Sequence, residues 1–163
     1  IKTLTLEVGD RRPLGVGAGS LALLASLPDE EVAEIIAANE ERLKAYPGFH
    51  PDELEALVAR TRARGYAFND GRVVKAMCAI GVPILDTRGS VVAAVSVAAI
   101  RERMSGDRVE WLLSQLKREA ATVQARLSED VDRAAPRTGP SWTREQAGEA
   151  GHRSASAATG DDR

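Results

Sequence analysis

The stretch from Arg72 to Ile100 constrains this chain more than any other. It reads RVVKAMCAIGVPILDTRGSVVAAVSVAAI, two apolar segments either side of Asp86-Thr87-Arg88-Gly89. Val73 to Leu85 and Val91 to Ile100 are rich in β-branched and small apolar residues, which suit a pleated surface. Between them stand a turn former and a Gly free to take positive φ. The two segments are therefore predicted to pair as an antiparallel hairpin. Neither alternates cleanly between apolar and polar, which predicts protein on both faces and puts the hairpin at the centre of a sheet. Pro83 has no N–H to give to the ladder, so a bend or a lost bond is expected there. Ser96 is the one hydroxyl in the second strand and the first residue to question about function.

The flanking segments read mostly as helices. Leu14-Gly15-Val16-Gly17-Ala18-Gly19-Ser20 precedes an apolar, helix-like run from Leu21 to Leu27. A Gly-rich segment between strand and helix can hold an anion on free backbone N–H groups, or simply let the helix pack closely on the sheet. The two readings are compatible. A P-loop is excluded because no Lys-Ser/Thr pair follows, and the dinucleotide fingerprint would need Gly where Ser20 stands. Pro28-Asp29-Glu30-Glu31 opens a second helix with an acidic first turn, and Val32, Ile35, Ile36 and Leu43 fall on one face. His50-Pro51-Asp52 opens a third, with Leu54, Leu57 and Val58 inward. Gly65 closes it after Arg60, Arg62 and Arg64, which read as a solvated helix end. Tyr66 to Asn69 is a short strand, and Asp70-Gly71 turns into the hairpin. Ser105-Gly106-Asp107 begins the longest helix, with Val109, Leu112, Leu113, Leu116, Ala120, Val123 and Leu127 on the helical period. Beyond Ser128 that period vanishes. Residues 129–163, which include Trp142 and His152, are expected to be a disordered tail, because they bury too little surface to offset chain entropy.

A chain of 163 residues, 44% of them hydrophobic, can bury one real core, expected over residues 1–128. Net charge is −2 with both signs interspersed, which is no electrostatic footprint for nucleic acid or for an anionic membrane. Cys78 is the single cysteine, so no internal disulfide forms and a reducing cytoplasm suits the chain. No apolar run is long enough for a spanning helix. Cys78 lies inside an apolar run and reads as a buried thiol rather than a nucleophile. His50 stands at a helix start, where a local role is expected. Two histidines and one cysteine far apart cannot make a zinc site. No catalytic group emerges. The residues describe a small α+β ligand-binding module, not an enzyme, with no cofactor. Ile1 to Val8 reads as a strand already under way with no neighbour in sequence to pair with, which suggests a fragment of something longer.

Four stretches then carry a resemblance. Pro13-Leu14 with Ala22-Leu23-Leu24-Ala25-Ser26-Leu27-Pro28, Thr61 to Ala67, Val82 to Gly89, and Ala93-Ala94-Val95-Ser96-Val97 resemble, in order and spacing, the effector-binding domain of IclR-type bacterial transcriptional regulators. The similarity covers about residues 5 to 128. It implies a GAF-like fold, with a mixed or antiparallel sheet flanked by helices and a pocket on one side, truncated at its front. It implies a homodimer or homotetramer that senses small carboxylic acids and acts on operator DNA through a winged helix-turn-helix missing from this chain. Carried over position by position, the family's ligand contacts fall on the backbone of Gly17 and Ala18. The acidic pocket residue falls on Asn69, with Asp70 its neighbour if the loop shifts by one. The pocket cysteine falls on Ala79, which sends Cys78 to the opposite face. Two pocket serines fall on Ser96 and Ala98. Polar groups are lost along this set, which turns the expected effector from a small oxo-acid to a carboxylate on an apolar or aromatic body. The second reading is a GAF- or PAS-like sensor module of another signalling protein.

Overall fold

The computed structural model describes Gly9 and residues 11–134, with side chains through 128. Nearly all of these lie in one compact unit, Ile1–Asp130; of a second, Val131–Arg163, only the end of a helix is described. The elements in chain order are α1 (Ala18–Ala25), α2 (Asp29–Leu43), α3 (Pro51–Arg64), β1 (Ala67–Asp70), β2 (Met77–Leu85), β3 (Val91–Ile100) and α4 (Asp107–Ala134), with a short 3-10 turn at Arg101–Arg103. The three strands form one antiparallel sheet in the order β1-β2-β3, so the class is α+β as expected.

The central hairpin closes where the sequence predicts, and Asp86 is the reason. Its carboxylate accepts the backbone N–H groups of Arg88 and Ser90, both at 2.9 Å. Its own N–H donates to the Ser90 carbonyl, and Gly89 takes φ 81° to turn the chain back. The Ser90 N–H, with those of Arg88 behind it, holds the Asp86 carboxyl below its ordinary range. A carboxyl lowered in the fold stabilises it above the ordinary carboxylate pKa, and that contribution disappears as pH falls through the lowered value. An NMR carboxyl titration should accordingly find the Asp86 midpoint below the usual aspartate value, and Asp86→Asn should reduce the acid sensitivity of the hairpin. An ordinary Asp86 midpoint would show that the turn is not held this way.

The register shifts between Ile84 and Leu85, which pair with Ala93 and Val91 and leave Val92 as the extra residue of a bulge. The irregularity comes one residue after Pro83. β1 pairs with β2 only as far as Gly81, so no described strand lies beside Pro83 on that side.

Each sheet face meets a different layer. Cys78, Ile80, Val82 and Ile84 pack with Met104, Leu116 and Ala120, so α4 covers that face. On the other, Ala67 joins Leu21, Leu24, Phe49, Leu54 and Leu57 in the cluster built by α1, α2 and α3. β2 is thus covered on both sides. β3 is not: Val92, Ser96, Ala98 and Ile100 are exposed, and β3 is the edge of the described sheet. The expectation of two covered faces fails for β3 because the helices that cover β2 reach β3 only in part, leaving even Val92 and Ile100 exposed.

Val73 and its neighbours also depart from expectation, forming a loop rather than the start of β2. Gly71 takes φ 68° and donates to the Met77 carbonyl, while Asn69 Oδ1 accepts the Arg72 N–H; together they fold the chain back before β2 begins. The Arg72 guanidinium then ties this loop to the Gly48 carbonyl at 2.8 Å.

α2 buries Val32, Ile36 and Leu43, and α3 buries Leu54, Leu57 and Val58, as the periodicity predicts. Gly65 ends α3 in the left-handed region, its N–H donating to Thr61. His50 is the residue before α3 and makes no side-chain cap. Arg62 corrects the solvated reading of the α3 arginines. Its Nε donates to the Ala25 carbonyl at 2.9 Å and Nη2 to that of Leu27 at 2.6 Å, and Nη1 pairs with Asp29. The carbonyls that the end of α1 leaves unpaired are satisfied from α3. α4 runs on to Ala134, past the expected boundary at 128; the rest of the expected tail, with Trp142 and His152, lies outside the described residues.

Candidate functional site

The Gly-rich segment sets the start of α1. Gly17 has φ 100° and ψ 158°, a conformation that a side chain resists, and it leads straight into the helix at Ala18, earlier than the apolar run alone suggests. Ser20 Oγ accepts the Gly15 N–H at 2.8 Å and stiffens the approach. No side chain caps α1, so the N–H groups of its first turn are left without partners in the helix.

This helix start rests on β2 at Gly81. A Cβ on Gly81 would stand 2.6 Å from the Ala18 carbonyl carbon and 2.9 Å from the Gly19 nitrogen, closer than real contacts allow. Gly81 pairs with Ala67 on β1 and with Ser96 on β3. The next pairs on the same face are Asn69 with Ala79 and Ala79 with Ala98. The fold therefore gathers Gly17, Ala18, Asn69, Ala79, Ser96 and Ala98 under and beside one helix start. The Ser96 hydroxyl points at it: Oγ lies 3.1 Å from where a Cβ on Gly19 would stand, and it has no hydrogen-bond partner among the described residues.

Asp70 is the exception. Strand alternation sends it to the α4 face, where it forms an ion pair with Arg101 and accepts a hydrogen bond from Cys78 Sγ at 3.4 Å. Cys78 is buried there, and burial first, then the bond to Asp70, raises its thiol pKa. A thiol held protonated is a poor nucleophile. Among the described residues no group of three or more His, Cys, Asp or Glu is placed to hold a metal, and no helix is long and apolar enough to cross a membrane.

Sequence reasoning missed Gly81, and it expected close packing of the helix on the sheet from the Gly-rich segment as a whole without singling out Gly19. An isolated Gly inside a strand is a recognised sign of close backbone approach, so Gly81 carried its signal. Gly19 was hidden among neighbouring glycines.

Comparison with known proteins gives this arrangement its context. The family model for the C-terminal part of the bacterial transcriptional regulator IclR matches residues 2–125. The chain belongs to the IclR family. It carries the C-terminal, effector-binding domain, and the match sets aside the GAF- or PAS-like module of another signalling protein. Among curated relatives, the HTH-type transcriptional regulator KipR of Bacillus subtilis is 27% identical over 126 residues, covering 76% of this chain and 50% of KipR. Among solved structures, the repressor BlcR of Agobacterium tumefaciens superposes with a TM-score of 0.66 at 28% identity, covering 77% of this chain and 52% of that one. The IclR of Thermotoga maritima gives 0.63 at 26%, covering 75% and 54%. The chain spans about half the length of the curated relatives it matches, or less. By name, these relatives are transcriptional regulators.

Proposed function

We propose that this IclR-family domain senses a carboxylic acid with an apolar or aromatic body. Its occupancy, in a homodimer or homotetramer, would govern operator binding by a winged helix-turn-helix outside this chain. No catalysis and no cofactor enter the reading. The observation that carries it is the uncapped start of α1 seated on Gly81, beside Ser96 and the Asn69–Ala79–Ala98 row. Backbone N–H groups and the helix dipole favour a carboxylate there whatever the side chains. The Ser96 hydroxyl adds a charge-assisted bond worth about 1.5–3 kcal/mol. Ala79 and Ala98 supply methyl groups and no polar partner, so each further oxygen of a small oxo-acid that the bound ligand shuts off from water would go unpaired at about 1–3 kcal/mol. An apolar body instead gains about 25 cal/mol per Å² buried. The balance favours the apolar acid.

A thermal-shift panel tests this, with glyoxylate-sized acids set against aromatic and medium-chain acids. At a hundred times its dissociation constant a true effector stabilises the domain by roughly 2.7 kcal/mol. Ser96→Val should weaken binding about tenfold or more, the loss of one such bond. A panel in which only the small oxo-acids raise the melting temperature, or a Ser96→Val protein that binds as tightly as wild type, rejects the reading.

A further inference from the structure

We propose that β3 pairs with the β3 of a second copy of this chain, antiparallel and about a two-fold axis at Ser96, so that two three-stranded sheets join into one of six. This gives a surface to the assembly proposed above and does not depend on the nature of the effector. β3 is ten residues long, and no described strand pairs with it on the side away from β2. Such an edge is a template for another strand, and proteins ordinarily blunt it with charge, proline or short length. VVAAVSVAAI has no charged residue and no proline. Its one irregularity is the bulge at Val92, close to the start of the strand. Ala93, Val95, Val97 and Ala99 pack on the α4 side, whereas Val92, Ser96, Ala98 and Ile100 are exposed. The two large side chains among these, Val92 at 51% and Ile100 at 45%, stand near the two ends of the strand.

The order of side chains selects a second copy over any other strand. About a two-fold axis, each residue of an antiparallel pair meets the residue equally far beyond the axis on the partner. Val92 to Ile100 reads VAAVSVAAI, which is nearly the same in both directions. With the axis at Ser96, Val92 lies opposite the partner's Ile100, Ala93 opposite Ala99, Ala94 opposite Ala98 and Val95 opposite Val97. Large meets large and small meets small along the whole stretch. The exposed Val92 and Ile100 cover each other twice, and the two Ser96 hydroxyls meet at the axis, where one can donate to the other. A symmetric pairing sets like charges face to face when a strand carries them, and β3 carries none. The new ladder supplies about ten hydrogen bonds, as many as a typical interface. An edge about 34 Å long and about 10 Å thick hides roughly 700 Å² in all, less than the ~1,000 Å² of a stable complex. The dimer is therefore weak, with a dissociation constant on the order of 10–100 μM.

Sedimentation velocity on the full chain, from about 1 to about 500 μM, should show monomer passing to dimer across the range. Val92→Lys and Ile100→Glu alter exposed side chains, and each alone should weaken association about tenfold or more. A mixture of the two variants should regain it, because only in the mixed dimer does the new lysine face the new glutamate while Val92 still meets Ile100 at the other end. A chain that stays monomeric throughout, single variants that associate like wild type, or a mixture no better than its components overturns the inference. Disulfide trapping checks the axis without any change of charge. Ser96→Cys should oxidise to a covalent dimer, since residues paired on the axis lie about 4.5–5.5 Å apart between Cα atoms. Ala98→Cys should not, because its two copies stand four residues out of register, about 14 Å. Equal trapping of the two variants also overturns the inference, and none of these results bears on acid binding, which the thermal-shift panel decides.

Discussion

Replacing Gly81 by alanine should lower the stability of the domain by about 3 kcal/mol, near the upper end for forced overpacking. In an ordinary strand the same change would help, since glycine costs about 0.5–1 kcal/mol relative to alanine through chain entropy. The sign is reversed here by what the added methyl meets. It would stand 2.6 Å from the Ala18 carbonyl carbon and 2.9 Å from the Gly19 nitrogen, and both are backbone atoms that cannot swing aside as a flexible side chain does. Either α1 lifts or β2 bends. Lifting α1 separates its N–H groups from Ser96 and from the Asn69 row, so the thermal shift expected of the proposed carboxylic acid effector should disappear even in molecules that remain folded. Urea denaturation measures the first effect and ligand melts the second. A Gly81→Ala protein as stable as wild type would show that α1 is not seated on this strand.

Leu54→Ala should cost about 3–5 kcal/mol, the range for truncating a fully buried leucine whose surroundings cannot collapse. Leu54 is wholly buried in the cluster of α1, α2 and α3. Its two terminal carbons reach within 2.8 and 3.0 Å of where a Cβ on Gly15 would stand, so it packs directly under the loop that enters α1. The void would open beneath a backbone held at positive φ and tied to Ser20, which leaves little freedom to fill it. Leu127→Ala on α4 is the matched control. Leu127 is 39% exposed, and its truncation should cost about 1 kcal/mol or less. Comparable losses at the two leucines, measured by the same denaturation, would contradict the packing described.

Much of this architecture could be read before any coordinates. The apolar faces of α2 and α3 follow a period of 3.6 because each has one covered side. On α4 the period holds from Val109 to Ala120, beyond which Val123 and Leu127, expected on the same face, are exposed. Asp86 and Gly89 announced the turn because their chemistry acts within five residues. What stayed hidden depends on contacts distant in sequence. Arg62 looked like one more charge at a helix end, and only the fold brings it to Ala25 and Leu27. Val73 and Val74 resemble a strand start, but Asn69 and Gly71 loop the chain there. For the site, the residues alone picked out the Gly-rich segment and Ser96. Family resemblance supplied Asn69, Ala79 and Ala98, and the register puts these three across adjacent strands. Asp70 was separated from them by nothing more than strand alternation, which a loop uncertain by one residue cannot resolve.

The start of α1 is made of main chain, whereas the row beside it is made of side chains, and under mutation the two have different fates. No substitution at Ala18 or Gly19 deletes an N–H group, except to proline, so the acid seat proposed here would pass nearly intact to any descendant that keeps Gly81. Asn69, Ala79 and Ala98 stand on three separate strands, and their side chains can change without deleting any N–H group of α1, although Asn69 also holds the Arg72 N–H. On the reading proposed above, divergence from this sequence would exchange one effector for another by single steps along the row, while the hold on the acid group would persist as a property of the backbone.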